Sequence, residues 1–180
     1  VLTVHVEECY LHCAKALIRS GFWQVEPCDE DSADKKDFIN KAAFMALGTI
    51  DAGGKADLSP KGDPAGSLAN WADGEVRFAD RPGNRRTDSF RNILTYRKVS
   101  AVFLVHGRCQ VLTVSGEAQL SNDEQQLAAF AVDGKSSKLV TTLSNVEARL
   151  TYSPAVERAD LWPAKKPPAH IRPDKIFTAQ

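Results

Sequence analysis

The sequence predicts a mainly β domain with a few short helices, and three observations support this prediction. Short runs rich in β-branched and aromatic residues recur along the 180-residue chain, and such residues favour strands. Tight glycine turns separate several of these runs, at residues 51–54 (DAGG) and 72–74 (ADG), since glycine adopts the positive φ that hairpin turns need. The regular strand–helix alternation of parallel sheets is missing. A mainly antiparallel barrel is therefore expected.

The N-terminal part of the chain predicts one strand followed by two helices. Residues 1–13 (VLTVHVEECYLHC) have the composition of a strand, with polar residues interleaved. Residues 14–23 predict a short helix or turn that Gly21 ends. Apolar residues then recur at helical spacing over residues 38–47, so a second helix is expected to begin between residues 32 and 37.

The middle of the chain predicts two hairpins and a short helix. The turn at residues 51–54 joins one pair of strands, and the turn at residues 72–74 joins a second pair. Residues 59–66 (SPKGDPAG) lie between the two turns, and their proline and glycine content predicts a loop. The short helix is expected at residues 89–94 (SFRNIL).

The C-terminal half predicts three further strands and one helix. Residues 99–107 (VSAVFLVHG) are almost continuously apolar, which is typical of a strand buried on both faces. Residues 109–121 alternate and predict its hairpin partner. Residues 122–134 begin with an Asn-Asp pair that can cap a helix. Residues 138–153 predict a last long strand.

The composition excludes several functional classes. Of all residues, 43% are hydrophobic and 26% are charged, as in ordinary soluble domains. Basic and acidic residues balance at 23 each, which argues against a nucleic-acid partner because such proteins usually have a basic excess. No apolar stretch is long enough to span a membrane, and the first residues lack the apolar core of a signal peptide. We therefore expect a cytoplasmic protein with no nucleic-acid or membrane partner.

The four cysteines predict neither a disulfide nor a metal site. They form no CxxC pair, and thiols in the cytosol are normally reduced. His5, Cys9, His12 and Cys13 lie close in sequence, but alternation along a strand places neighbours on opposite faces, and the spacing matches no common zinc module. We therefore expect no metal, with a zinc site at these four residues as the alternative.

Residues 2–23 and 141–162 are similar to each other. Four pairs of residues match at one constant offset: Leu11 with Leu150, Ala16 with Ala155, Arg19 with Arg158, and Trp23 with Trp162. Internal similarity of this kind indicates a duplicated unit. The prediction is that residues 1–32 are the closing segment of a preceding copy plus a linker, and that residues 33–180 are one full domain. The alternative is that both stretches are strand–turn units of similar composition.

Two segments contain the residue types that bind a phosphate monoester. Such binding needs positive charge together with N–H and hydroxyl donors. The first segment supplies the Ser59 hydroxyl, the Lys61 ammonium and a Gly62 backbone that a ligand can approach closely. The second segment and the residues after it supply guanidinium groups and neutral donors: Arg81, Asn84, Arg85, Arg86, Ser89 and Asn92. Two such segments on adjacent strands would converge on one dianion.

A surface ion network is the alternative explanation for these basic residues. Four acidic residues lie among them in the sequence and are able to neutralise them: Asp57, Asp63, Asp80 and Asp88. Neither segment is a common nucleotide loop, because the chain contains no Walker A pattern and no GxGxxG.

Four runs of the sequence together resemble one known family: ADLSPKGDPAG, FADRPGNRRTDSFRNIL, VFLVHG and LTVSGEAQL. They are similar to the pyridoxamine 5′-phosphate oxidase-like flavoproteins, in the branch marked by SPKGDP and DRPGNRR. HCAKALIRSGFW (12–23) resembles the closing segment of the same branch. The resemblance covers most of the chain and implies a split β-barrel, a two-fold dimer and FMN bound in clefts between the two barrels.

The resemblance also implies which residues bind the cofactor. The residues of SPKGD and RPGNRR named above would contact the FMN phosphate and ribityl chain, and Ser89 and Asn92 would support them. Two departures from the family pattern are Thr113, where an arginine is common, and VHG at residues 105–107 in place of VPG. The second of the two similar stretches also has Thr151, Tyr152 and Pro154 where the first has His12, Cys13 and Lys15, so the complete domain lacks part of the usual closing segment. We therefore expect flavin binding to be better retained than turnover.

The first functional hypothesis is an FMN-dependent oxidoreductase that acts on a small organic substrate. The alternatives are a non-catalytic flavin- or haem-binding module and a reductase that uses the deazaflavin F420. No Ser-His-Asp or paired-carboxylate arrangement is evident in the sequence, so no catalytic residue is assigned. The expected partner is a second barrel, either in a homodimer or in a tandem pseudo-dimer.

Overall fold

Five helices and seven strands make up the regular part of the structure, a computed structural model that describes residues 2–6, 12–24, 31–82, 87–132, 137–165 and 168–170. The helices are α1 (Lys15–Arg19), α2 (Lys35–Lys41), α3 (Asp88–Thr95), α4 (Glu124–Ala128) and α5 (Pro154–Ala159). The strands are β1 (Phe44–Ile50), β2 (Ala56–Gly62), β3 (Ala69–Ala72), β4 (Glu75–Ala79), β5 (Lys98–Leu104), β6 (Gln110–Ser121) and β7 (Val140–Tyr152). Among these helices, none is long and apolar enough to cross a membrane.

All seven strands form one sheet in the order β2-β1-β5-β6-β7-β4-β3. Every neighbouring pair is antiparallel. In β1, Leu47 lies opposite Ser59 on one side and Ala101 on the other. β6 and β7 pair along their length except at an irregularity around Gly116, where a Cβ would lie 2.6 Å from the Ser144 carbonyl oxygen. The predicted mainly β, antiparallel fold is confirmed.

Both predicted hairpins are present, but the loop expected at residues 59–66 is partly wrong. Residues 59–62 belong to β2, and Pro60 lies opposite Ala46 in β1. The proline is tolerated because β2 is at the edge of the sheet, with β1 as its one neighbour among the described strands. A proline in an edge strand need not offer an N–H to a second neighbour.

The strand predicted at the N-terminus is also absent where the structure describes it. Residues 2–6 have no regular secondary structure, and residues 7–11 lie outside the described residues. Leu2 and Val4 are largely exposed. β-branched composition favours a strand only where a neighbouring strand supplies hydrogen bonds and packing, and no described strand pairs with residues 2–6.

The core lies on one face of the sheet. β1 buries alternate residues, among them Met45 and Leu47, and β5 does the same with Phe103. Val102 on the other face of β5 is 36% exposed, so this chain alone covers one face of the strand, and the covering of the second face by a partner barrel stays a prediction. A continuous apolar run does not reveal how many faces are covered.

Two helices close the core. α2 buries Phe38 and Ile39 completely, and the Asp34 carboxylate caps it by accepting a hydrogen bond from the backbone N–H of Lys36. α3 is held against β1 by a buried hydrogen bond from Asn92 Nδ2 to Thr49 Oγ1, 3.1 Å long. Both helices were expected from the apolar spacing of the sequence.

The two similar stretches of the chain contact each other. α5 follows β7 as α1 follows residues 12–14, so the helices occupy matching positions in the two stretches. The Trp162 indole Nε1 donates a hydrogen bond of 2.7 Å to the Phe22 carbonyl, and the two rings lie 5.2 Å apart. The assignment of residues 1–32 to a preceding copy stays a prediction.

Replacing Ile39 with alanine is expected to lower the free energy of unfolding by about 2–5 kcal/mol, because the lost side chain leaves a cavity in the core. Asn40 follows on the same helix and is exposed, so Asn40→Ala is the matched control, with an expected change within about 0.5 kcal/mol. Urea denaturation measures both values, and equal stability of the two variants would contradict the packing described for α2.

Candidate functional site

A pocket of about 400 Å³ lies beside β2, between α1 and the segment that follows β4. Its volume is within the range of small-molecule sites, roughly 300–1,000 Å³. Basic side chains outnumber acidic ones among the lining residues: Lys15, Arg19, Lys61, Arg81 and Lys138 against Asp63 and Asp80. The pocket is therefore suited to an anionic ligand.

Arg81 is the most constrained of the basic residues. Its Nε donates to Asp63 Oδ2 at 2.6 Å, and its Nη1 donates to the Phe130 carbonyl at 2.8 Å and to Ser137 Oγ at 2.9 Å. The side chain is only 10% exposed. The buried Nη2 has no hydrogen-bond partner among the described residues. An unpaired buried donor is costly, so Arg81, which lines the pocket, has one donor that the described residues leave unsatisfied.

The Asp63 carboxylate holds two guanidinium groups at once. Arg81 binds one oxygen, and Arg19 Nε lies 3.2 Å from the other. The Asp63 side chain is 4% exposed, and the backbone N–H of Asp63 donates to the Ala43 carbonyl at 3.1 Å. Buried charges are tolerated when they are paired in this way. Asp63 thus fixes one end of each arginine.

Lys61 lies at the same wall with one ion-pair partner. Its Nζ is 3.2 Å from Asp80 Oδ1 and 5.4 Å from the centroid of the Phe90 ring. A lysine ammonium has three N–H donors, so the pairing with Asp80 leaves capacity for a ligand. Two acidic residues of the alternative ion network, Asp63 and Asp80, therefore pair with Arg81 and Lys61, and these pairs line the same pocket as the expected phosphate donors.

The structure brings together four of the predicted cofactor-binding residues. Ser59, Lys61, Gly62 and Arg81 all line the pocket. Asn84, Arg85 and Arg86 lie outside the described residues. The flanking residues on either side, Pro82 and Thr87, line the pocket.

Ser89 and Asn92 do not line this pocket. Ser89 Oγ donates to Asp57 Oδ2 at 3.1 Å, and Asn92 bonds to Thr49 in β1 as described above. Both side chains are buried and join α3 to the strands beneath it. Their predicted supporting role stays a prediction.

Sequence reasoning missed one wall of the pocket. Residues His12, Cys13, Lys15, Ala16 and Arg19 line it, although the sequence assigned their segment to another copy of the domain. The similarity between residues 2–23 and 141–162 is the sequence signal that could have pointed to this wall, because Arg19 is one of the four matched residues.

His106 is not one of the residues that line the pocket. Its ring centroid lies 5.6 Å from that of Phe22 and 6.1 Å from that of Trp162. Burial lowers the pKa of its imidazole below the usual value, and its Nε2 has no hydrogen-bond partner among the described residues. Within the described ranges, no three His, Cys, Asp or Glu residues are grouped so as to hold a metal ion.

The sheet order and the short flanking helices define a small antiparallel barrel protein with a polar pocket at its edge strand. The family model for pyridoxamine 5′-phosphate oxidase matches residues 33–160. The chain therefore belongs to the pyridoxamine 5′-phosphate oxidase family, and its fold is the split β-barrel of that family. No curated protein matches the sequence.

The chain also matches solved structures of other proteins at low sequence identity. HupZ of Group A Streptococcus is 21% identical, with a TM-score of 0.53, over 69% of this chain and 96% of that one. A protein named F420 reductase is 12% identical, with a TM-score of 0.48, over 66% and 98%. HutZ, a haem storage protein of Vibrio cholerae, is 14% identical, with a TM-score of 0.43, over 65% and 90%. At these identities the likeness concerns the fold alone.

Replacing Asp63 with alanine is expected to lower the free energy of unfolding by about 3–5 kcal/mol, because it leaves the buried Arg81 without its counter-charge. The control is Arg91→Ala, which breaks the exposed pair of Arg91 with Asp88 and should cost less than about 1 kcal/mol. Thermal or urea unfolding compares the variants, and a small effect at Asp63 would show that this ion pair does not stabilise the fold.

Proposed function

We propose that the chain binds FMN with its phosphate in this pocket, and that it acts as an oxidoreductase on a small organic substrate. The observation that supports the proposal is the excess of basic over acidic side chains in the pocket lining, which includes Arg81, whose buried Nη2 has no hydrogen-bond partner among the described residues. A phosphate monoester has strong acceptor oxygens and a charge near −2 at neutral pH, so it would satisfy both the donor and the charge.

The phosphate would be held from β2 and from the segment after β4. Lys61 and Ser59 would approach it from β2, and Arg81 would donate from the other side. Arg85 and Arg86, from the RPGNRR segment, are proposed to complete the set. Charge-assisted hydrogen bonds of this kind are the strong ones, so the pocket would discriminate FMN from riboflavin, which lacks the phosphate.

The cofactor and the protein would have different roles in this site. Bound FMN would supply the hydride and electron transfer chemistry, and the protein supplies binding, orientation and electrostatics. The Asp63 ion pairs would keep Arg81 in place before the ligand arrives, which lowers the ordering cost of binding. The Phe90 ring, which lines the pocket beside Lys61, would exclude water from one side of the ligand.

The first test is the cofactor itself. The purified chain is titrated separately with FMN, haem and F420, and each complex is followed by its absorption spectrum. Tight binding of FMN, followed by reduction of the bound flavin by a nicotinamide or by reduced F420, supports an oxidoreductase. Binding without reduction by either donor supports the non-catalytic module, and preferential binding of haem, with its Soret band, would replace FMN as the ligand.

Replacing Lys61 or Arg85 with alanine is expected to weaken FMN about tenfold or more, since a charge-assisted hydrogen bond contributes about 1.5–3 kcal/mol. Lys55 is exposed in the hairpin turn and is absent from the pocket lining, so Lys55→Ala is the control. Fluorescence titration gives the FMN affinity of each of the three variants, which is compared with that of the unsubstituted chain. FMN affinity unchanged in both variants would refute the phosphate assignment.

We further propose that two barrels associate through the outer face of the sheet. Leu58 in β2 and Val102 in β5 are exposed on this face, by 59% and 36%. In β1, Gly48 lies opposite Leu58 and Ala46 lies opposite Val102, so both apolar side chains are on the same face. A contiguous exposed apolar face marks an interaction surface. The second barrel is proposed to be a copy of this domain, in a homodimer or a tandem pseudo-dimer.

Light scattering at micromolar concentration tests this association. The expected mass is twice the 19.7 kDa of the chain, with an interface of more than about 2,000 Å². Val102→Asp should shift the mass toward the monomer, because a charge on this face disfavours burial, while Lys35→Asp on α2 should not. A stable monomer that binds FMN tightly would contradict the two-barrel site.

A further inference from the structure

One part of the pocket lining comes from outside the family domain. Lys15, Ala16 and Arg19 line the pocket, whereas the family match begins at residue 33. Residues 12–24 therefore reach back onto the domain across a long sequence separation. A site built from residues 33–160 alone would be open on this side.

Gly62 is the position where this segment meets the sheet. A Cβ at residue 62 would lie 2.1 Å from the Ala16 carbonyl oxygen and 3.2 Å from the Ala16 Cα. Both contacts are with backbone atoms, so a side-chain rotation could not relieve them. Glycine at residue 62 thus allows α1 to pack directly on β2. The sequence suggested Gly62 as a point where a ligand could approach the backbone closely. On the side where a Cβ would lie, that space is filled by the backbone of Ala16.

Arg19 holds the segment in place from the other end of α1. Its Nε donates to the Gly62 carbonyl at 2.9 Å and to Asp63 Oδ1 at 3.2 Å, and its Nη1 reaches the Pro82 carbonyl at 3.4 Å. These acceptors belong to both predicted phosphate segments. One arginine therefore ties α1 to the end of β2 and to the residue after Arg81.

The segment is also attached at its far end. Phe22 is 5% exposed, and its carbonyl accepts the hydrogen bond from the Trp162 indole. Lys15 precedes these attachments in the sequence and lines the pocket. It is exposed and has no ion-pair or hydrogen-bond partner among the described residues. Its ammonium is thus free to bind a ligand.

We propose that residues 12–24 are a fixed wall of the cofactor pocket, docked through Gly62 and Arg19, and that Lys15 binds the cofactor phosphate from this wall. The proposal rests on the FMN function proposed above. Arg19 is a positioning residue, because its bonds go to the protein. A chain that began at the family domain would then lose cofactor affinity although its sheet is complete.

The first experiment compares FMN with riboflavin in matched variants. Lys15→Gln is expected to weaken FMN about tenfold and to leave riboflavin unchanged, because only FMN has the phosphate. Arg19→Ala should also weaken FMN, since it releases the wall that presents Lys15. The control is Arg158→Ala, the equivalent arginine of the repeat, which is exposed on α5 and outside the pocket lining.

FMN affinity of Lys15→Gln equal to that of the wild type would overturn the role of Lys15 and leave the proposed FMN function standing. Equal losses for FMN and riboflavin would also overturn it, because the effect would not involve the phosphate. Failure of the wild-type chain to bind FMN would overturn the proposed function and the role of Lys15 together.

The docking of the segment has a readout that needs no cofactor. Gly62→Ala should speed amide hydrogen exchange in residues 15–20, because the new methyl group displaces the Ala16 backbone, while the amides of β5 and β6 keep their protection. Gly53→Ala, in the exposed hairpin turn, is the control and should leave residues 15–20 unchanged. Unaltered exchange of these residues in Gly62→Ala would overturn the fixed wall.

Discussion

The pairing of one buried carboxylate with two guanidinium groups is the interaction on which the site depends. Asp63, at the end of β2, binds Arg81 through one oxygen and Arg19 through the other. Without this carboxylate the two cations would repel each other in a poorly solvated place. With it, three distant parts of the chain converge, and Arg81 retains a donor that the described residues do not use. Part of the positive charge of the pocket lining is thus neutralised by the protein itself.

Much of the fold was predictable because its turns are local. The glycines of residues 51–54 and 72–74 specify hairpins whatever the rest of the chain does, and both hairpins are present. Tertiary context decided the exceptions. Residues 99–107 are apolar enough for a strand covered on two faces, yet β5 has one face uncovered in this chain. Residues 59–62 look like a loop, but pairing with β1 draws them into the sheet.

The site was predictable where charge and turn chemistry lie together in the sequence. Lys61 and Arg81 were assigned to one pocket from their residue types, and the structure places both in its lining. The contribution of Lys15 was not predictable in this way, because the contact of α1 with β2 joins residues more than forty positions apart. The role of Gly62 was not predictable for the same reason. A glycine that lets another backbone segment pack closely and a glycine that lets a ligand approach cannot be told apart in the sequence.

The proline in β2 has a consequence for how the molecule meets other chains. An edge strand normally presents a row of free N–H and C=O groups on which a foreign strand can add. Pro60 interrupts that row at the middle of β2, and the packing of α1 on Gly62 covers its end. Sheet extension, and the fibrous assembly that it begins, is therefore disfavoured at this edge.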